Sequence, residues 1–187
     1  MLPYVNIHTH RPTGSGIELR TAGVHPWDAA TQDAATLGQR LGGAQAVGET
    51  GLDFVRGADR AAQLSALRTQ LRLARERGLP VVLHCVRAFE PLMREQARQA
   101  LAKGYCLSFG ERTFASPKTL AALRGTPLSQ LFLETDDSPV PIAEIYARAA
   151  EAKGVPEEVL QRAILDNYKR IFTGGEYEGP GRTKGDK

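Results

Sequence analysis

The feature that most restricts the fold of this sequence is a series of short apolar runs, each of which ends in polar residues. Runs of this length, several of them rich in β-branched residues, are typical of buried strands. Segments with helical spacing lie between some of the runs, and this alternation is typical of a parallel sheet covered by helices. We therefore expect an α/β fold, either an open doubly wound sheet or a closed barrel. The predicted strands lie within residues 5–10, 19–25, 44–49, 79–84, 105–109 and 131–136.

Three helices are predicted from apolar spacing and from the residues at their ends. The first presents a leucine-rich face at Leu64, Leu67 and Leu71, and a glycine followed by a proline predicts its end. A Ser-Pro pair, which is typical of a helix start, opens the second over residues 116–125. Another proline opens the third, over residues 156–171.

All four histidines of the chain stand at the predicted carboxyl ends of strands, and carboxylates end two further runs. Functional groups gather at this edge of a parallel sheet, because the loops there converge on a shared crevice. Ordinary core histidines would seldom all be placed in this way. Since neutral imidazole and carboxylate both bind divalent cations, the pattern predicts a metal site. Its candidate residues are His8, His10, His25, Glu49, His84 and Asp136.

A mixed set of imidazoles and carboxylates can hold two divalent cations if one carboxylate bridges them. Glu49 is the natural bridging candidate, and its alternative role is that of an ordinary loop carboxylate. Asp136, in the segment ETDD, is a metal ligand, a general base for an attacking water, or both. Its alternative role is to cap the next helix. Trp27 either covers the site or packs in the core.

The motifs resemble, in order, those of the TatD family of metal-dependent hydrolases. They are HTH at 8–10, GVHP at 23–26, GETGLD at 48–53, LPVVLH at 79–84 and LETD at 133–136, with NYKRIF at 167–172 as the closing segment. The resemblance implies a TIM-barrel-like (β/α) fold with one or two divalent ions, Mg, Mn or Zn. It also implies hydrolysis of phosphodiester bonds, with DNA as the substrate and the protein as a deoxyribonuclease.

The resemblance also implies a role for each site residue. His8 and His10 would hold one metal ion together with Asp136, which would also orient or deprotonate the water. Glu49 would bridge the two ions, and His84 would bind the second. His25 would contact substrate phosphate. Val86 occupies the position of the family's phosphate-contacting arginine, and Arg87 follows it as our candidate for this contact, because guanidinium geometry suits a phosphodiester. Arg112 is a comparable candidate, and the alternative role of both is that of solvated surface arginines.

The sequence departs from the family pattern in length and in one ligand. Family members carry a further histidine on a later strand, but this chain has no fifth histidine. Its 187 residues are also fewer than the roughly 250 of a typical eight-stranded barrel. We therefore expect an incomplete or distorted barrel of about six strands. Glu111 would replace the missing histidine as an oxygen ligand, or it is a surface loop residue.

Composition favours one domain over residues 1–172 and a flexible tail over residues 173–187, which is rich in Gly and charge. No apolar run approaches the roughly 20 residues that span a bilayer, so no membrane association is expected. Cys85 and Cys106 show no metal-binding or redox spacing. These observations predict a soluble, cytoplasmic protein.

Two other functions stay open at this point. One is metal-dependent hydrolysis of a small amide or ester, because fold does not determine substrate. The other is a degenerate, catalytically weak member of the family that binds nucleic acid or metal. If strands are missing, an exposed apolar seam would favour a homodimer.

Overall fold

The computed structural model describes residues 2–86 and 104–174. The chain divides into two compact units. The terminal unit comprises Met1–Glu18 and Gly104–Lys187, and the central unit comprises Leu19–Lys103. Each unit contains parallel strands together with helices that pack on them.

In chain order, the strands of the described residues are β1 (Val5–Asn6), β2 (Ile17–Glu18), β3 (Thr21–Ala22), β4 (Ala46–Asp53), β5 (Val81–Val86), β6 (Leu107–Phe109) and β7 (Leu131–Leu133). The α-helices of these residues are α1 (Leu37–Arg40), α2 (Arg60–Arg77), α3 (Pro117–Gly125), α4 (Ile142–Lys153) and α5 (Glu157–Phe172). Single 3-10 turns occur at Pro26–Asp28, Ala34–Thr36, Glu111–Ala115 and Leu128–Gln130. All strand ladders are parallel, as the sequence predicts.

In the terminal unit, β1 pairs with β2 and β6 pairs with β7. The two ladders are joined between β1 and β7, because the Ile7 amide donates to the Leu133 carbonyl at 3.1 Å. A parallel bridge between Thr9 and Asp136 continues this pairing beyond both strands. The strand order β2-β1-β7-β6 therefore brings the ends of β1 and β7 side by side.

Helices α3, α4 and α5 complete the terminal unit. Helix α3 begins at a Ser116 cap whose hydroxyl accepts from the Thr119 amide at 3.3 Å, as the Ser-Pro pair predicts. Helix α4 was absent from our sequence prediction, although its apolar residues recur at helical spacing. The fully buried side chains of this unit come mainly from β7, α4 and α5: Leu131, Leu133, Ile145, Tyr146, Leu160 and Ile164.

In the central unit, β3, β4 and β5 form one sheet in that order. The register of β4 against β5 shifts between Val47 and Thr50, and this irregularity carries Glu49. Helix α2 packs against β4. Asp59 caps its first turn, and Gly78 ends it in the left-handed conformation at φ 63°, as the sequence predicts.

The buried face of α2 differs from the prediction. Leu64 and Leu71 are 36% and 42% exposed, whereas Gln63 and Gln70 are buried. The two glutamines can be buried because their side-chain amides bond backbone groups of other segments. Gln63 accepts from the Asp53 amide at 2.8 Å and donates to its carbonyl at 2.8 Å, and Gln70 makes the same pair of bonds to Val24.

The strands near the start of the chain differ from the predicted runs. Strand β2 is additional to the predicted runs, and within the run 19–25 only Thr21–Ala22 is strand.

No helix among residues 2–86 and 104–174 is both long enough and apolar enough to cross a membrane. Residues 175–187, most of the predicted tail, lie outside the described residues, and so does Arg87. The single domain over residues 1–172 stays a prediction.

Candidate metal centres

The terminal unit brings His8, His10 and Asp136 together where β1 and β7 end. The Asp136 amide donates to the His8 carbonyl at 3.2 Å, and the His10 amide donates to the Asp136 carbonyl at 2.9 Å. Asp136 has φ 54°, in the left-handed region that Asp tolerates better than most residues. The backbone therefore fixes the three side chains relative to one another.

The ligand atoms of these side chains converge. His8 Nε2 and His10 Nε2 lie 3.3 Å apart, and Asp136 Oδ1 lies 3.8 Å from the first and 3.4 Å from the second. His8 is buried, whereas His10 is exposed. Two imidazole nitrogens and a carboxylate oxygen at this spacing form a donor set that suits a divalent cation, open to solvent on one side. We call these three residues the terminal group.

A cleft of about 420 Å³ lies beside Asp136 in the terminal unit. Glu111 and Glu134 line it, but the Ser138 hydroxyl bonds Glu111 and the Ser108 hydroxyl donates to Glu134 at 2.6 Å. Glu111 is not among the side chains that converge as metal ligands in the described residues. Its predicted role as a replacement ligand stays a prediction.

The central unit brings together His25, Glu49 and His84. Glu49 lies on β4, and its Oε1 is 3.1 Å from His84 Nδ1 on the adjacent strand β5. Its Oε2 is 3.6 Å from His25 Nε2. Close approach of the two strands depends on Gly51, because a Cβ there would lie 1.9 Å from the His84 carbonyl oxygen. We call these three residues the central group, and their ligand atoms lie within 4.8 Å of one another.

Asp53 is a residue of this centre that the sequence analysis missed. It is 2% exposed, and its Oδ2 accepts from the Trp27 indole at 2.7 Å while lying 3.6 Å from His84 Nε2. Its Oδ1 accepts from the amides of Val55 and Arg56. Burial raises the pKa of Asp53. The hydrogen bonds and the adjacent His84 lower the pKa by more than burial raises it, so the net pKa is below its usual value. The carboxyl is therefore an anion at neutral pH.

His84 lies between two carboxylates. Burial lowers its pKa, but the hydrogen bond and charge of Glu49 and the charge of Asp53 outweigh burial and raise the pKa above its usual value. Its Nε2 is buried and makes no hydrogen bond within the described residues. A buried imidazole nitrogen of this kind, flanked by anions, fits a bound divalent cation.

The structure thus brings together the predicted candidates within each unit. His8, His10 and Asp136 converge in one, and Glu49 and His84 converge in the other. His25, predicted as a substrate contact, lies directly against Glu49. The only available signal for Asp53 was its place at the end of GETGLD, because nothing in its spacing announces the bond from Trp27.

Comparison with known proteins finds similarity to TatD proteins. The profile of a family described as TatD related DNase matches residues 16–95. A 3'-5' ssDNA/RNA exonuclease TatD from Cronobacter sakazakii is 37% identical over 62% of this chain and 56% of its own length. The protein of that name from Enterobacter lignolyticus is 44% identical over 81% of this chain and 76% of its own length. This chain therefore spans little more than half of the first relative.

A solved structure shares the fold. The crystal structure of a TatD homologue from Escherichia coli K12 matches with a TM-score of 0.71 and 25% identity, over 83% of this chain and 77% of that chain. This likeness confirms the predicted α/β, TIM-barrel-like fold.

Proposed function

Because the chain belongs to the TatD family of metal-dependent hydrolases, we propose that it is a divalent-metal-dependent nuclease that hydrolyses phosphodiester bonds of DNA. The relatives named above are described as exonucleases of single-stranded DNA and RNA. The observation that carries the proposal is the terminal group, in which two imidazole nitrogens and one carboxylate oxygen lie within 3.8 Å of one another.

We assign the metal ligands by unit. His8, His10 and Asp136 would hold one divalent ion, and Glu49 and His84 would hold a second. When bound, such an ion supplies Lewis acidity, which polarises a phosphoryl oxygen and lowers the pKa of a water molecule. The bridging role of Glu49 rests on the family resemblance. Elemental analysis of the purified protein distinguishes one ion per chain from two, and the element found identifies the metal.

Asp136 is the candidate general base. Its carboxylate borders the cleft of the terminal unit and is partly exposed, so a substrate and a water can reach it. A carboxylate held by backbone bonds at a fixed position can accept the proton that the attacking water loses. We assign His25, in the central unit, to a contact with substrate phosphate, as the family resemblance implies.

The test compares two aspartates of the terminal unit. Asp136→Asn removes the base and a metal ligand, so we expect the rate of nucleotide release from labelled single-stranded DNA to fall by about 100-fold or more. Asp166→Asn is the matched control, because Asp166 is exposed on α5 and does not line the cleft beside Asp136. The control should retain its rate within about twofold, as is typical of surface substitutions. Equal rates for the two variants would contradict the proposal.

Two further predictions from the sequence concern the molecule in the cell. A cytoplasmic location and a homodimer stay predictions, the first from composition and the second from the shortened chain. Light scattering in solution measures the second directly.

A further inference from the structure

The guanidinium of Arg56 is an exposed cation close to the central group. Its Cζ lies 4.0 Å from the centre of the Trp27 ring. Within the described parts of the chain, the guanidinium makes no hydrogen bond and no ion pair, and it stacks on this ring. Stacking occupies one face of the group and leaves the N–H donors at its edge available.

Trp27 is fixed in place beneath Arg56. Its indole donates to the buried carboxylate of Asp53 at 2.7 Å. The backbone at Gly57 packs directly on it, since a Cβ there would lie 2.6 Å from Trp27 Cα, and the residue has φ 94°. The ring also lies against the central group, 4.7 Å from the His25 ring and 6.2 Å from the His84 ring, centre to centre. Arg56 is thereby stacked on a ring that itself lies against the central group.

We propose that Arg56, stacked on Trp27, binds a phosphate of the nucleic-acid backbone next to the central group. This inference rests on the proposed nuclease function and specifies how the substrate is held. A guanidinium matches the oxygen geometry of a phosphodiester and remains charged at every physiological pH. A stacked guanidinium also loses less side-chain freedom when it binds, because its orientation is already restricted.

The chain contains a matched control for this residue. Arg60, at the start of α2, stacks over Phe54 at 4.5 Å and has the same charge. In the described residues, Phe54 makes no ring contact with the histidines of the central group. Arg56→Gln and Arg60→Gln therefore remove the same charge and the same kind of stacking, but only the first removes it beside the candidate metal ligands.

The experiment measures binding without turnover. Anisotropy of a labelled oligothymidylate is titrated with wild type, Arg56→Gln, Arg56→Lys and Arg60→Gln in EDTA at several salt concentrations. One lost phosphate contact on a single strand should reduce the slope of log affinity against log salt by about 0.7. We expect Arg56→Gln to show this reduced slope and to bind roughly 10-fold more weakly at low salt. Arg60→Gln should show neither change, and Arg56→Lys should retain the slope of wild type.

Two further readouts separate a phosphate contact from a structural role. Trp27 is the only tryptophan of the chain, so its emission should change when the oligonucleotide binds to wild type. With metal present, Arg56→Gln should raise KM and leave kcat unchanged, since a contact to a phosphate that is not cleaved contributes equally to ground and transition states. Equal affinities and salt slopes for Arg56→Gln and Arg60→Gln would overturn the inference alone. A wild type that neither binds nor cleaves DNA would overturn the proposed function as well.

Discussion

At the residue scale, Asp53 shows what the sequence could not indicate. The histidines were predictable because strand ends are visible as changes from apolar to polar residues. The role of Asp53 depends instead on partners from two other segments, Trp27 and His84, which approach it only after folding. Spacing along the chain carries no signal of such a contact.

Replacement of Asp53 by Asn tests this role. The carboxylate accepts hydrogen bonds on both oxygens, whereas an amide has one oxygen and must turn its NH₂ toward a donor. We expect Asp53→Asn to lower the free energy of unfolding by about 1–3 kcal/mol, measured by urea denaturation. It should also reduce metal retention, because His84 loses a neighbouring negative charge.

The control for Asp53→Asn is Asp137→Asn, whose carboxylate is exposed and paired only at the surface. Its unfolding free energy should change by less than about 0.5 kcal/mol. If Asp53→Asn were as stable as this control and retained its metal, the hydrogen bonds of the buried carboxylate and its charge beside His84 would contribute to neither stability nor metal binding.

At the element scale, the strands and helix ends were predictable to different degrees. Gly78 is a local signal for the end of a helix and Ser116 for the start of one, and they end α2 and begin α3 as predicted. The buried face of α2 was not predictable, because burial of Gln63 and Gln70 depends on bonds to backbone groups of other segments. Helix α4 was not predicted, although its buried residues Ile142, Ile145, Tyr146 and Ala149 recur at helical spacing.

Helix α4 also supports the strand that carries the terminal group. The Tyr146 hydroxyl donates to the Val5 carbonyl at 3.0 Å and accepts from the Val5 amide at 3.2 Å. Burial raises the pKa of Tyr146 well above its usual value, so the hydroxyl remains protonated. Tyr146→Phe would leave both backbone groups of Val5 buried without this partner. We expect a loss of about 1–3 kcal/mol in unfolding free energy by urea denaturation.

Tyr105→Phe is the comparison for this variant. Tyr105 is 63% exposed, and its hydroxyl has no hydrogen bond in the described residues, so its removal should change stability by less than about 0.5 kcal/mol. Equal stability of the two variants would mean that the pair of bonds to Val5 does not support β1.

At the scale of the whole molecule, the order of the motifs predicted more than any one of them. Five short motifs in sequence indicated the family, the parallel α/β fold and the metal-ligand types. The similarity to the relative from Enterobacter lignolyticus shows that the chain belongs to this family. The number of strands was less predictable, because strands as short as β2 and β3 leave little apolar pattern.

Each unit carries its own set of candidate ligands, so a test of the proposed metal dependence uses the whole chain. The central claim is that divalent cations held by these ligands are required for cleavage of nucleic acid. Any variant alters one residue, whereas removal of the metal tests the complete set of ligands together.

The most direct test is cleavage of labelled single-stranded DNA by the wild-type chain during a manganese titration, after the protein has been stripped with EDTA. We predict no cleavage by the stripped protein, and cleavage that rises with manganese until the sites are filled. Cleavage that persists in EDTA would contradict the account, and so would its absence at every concentration of manganese, magnesium or zinc.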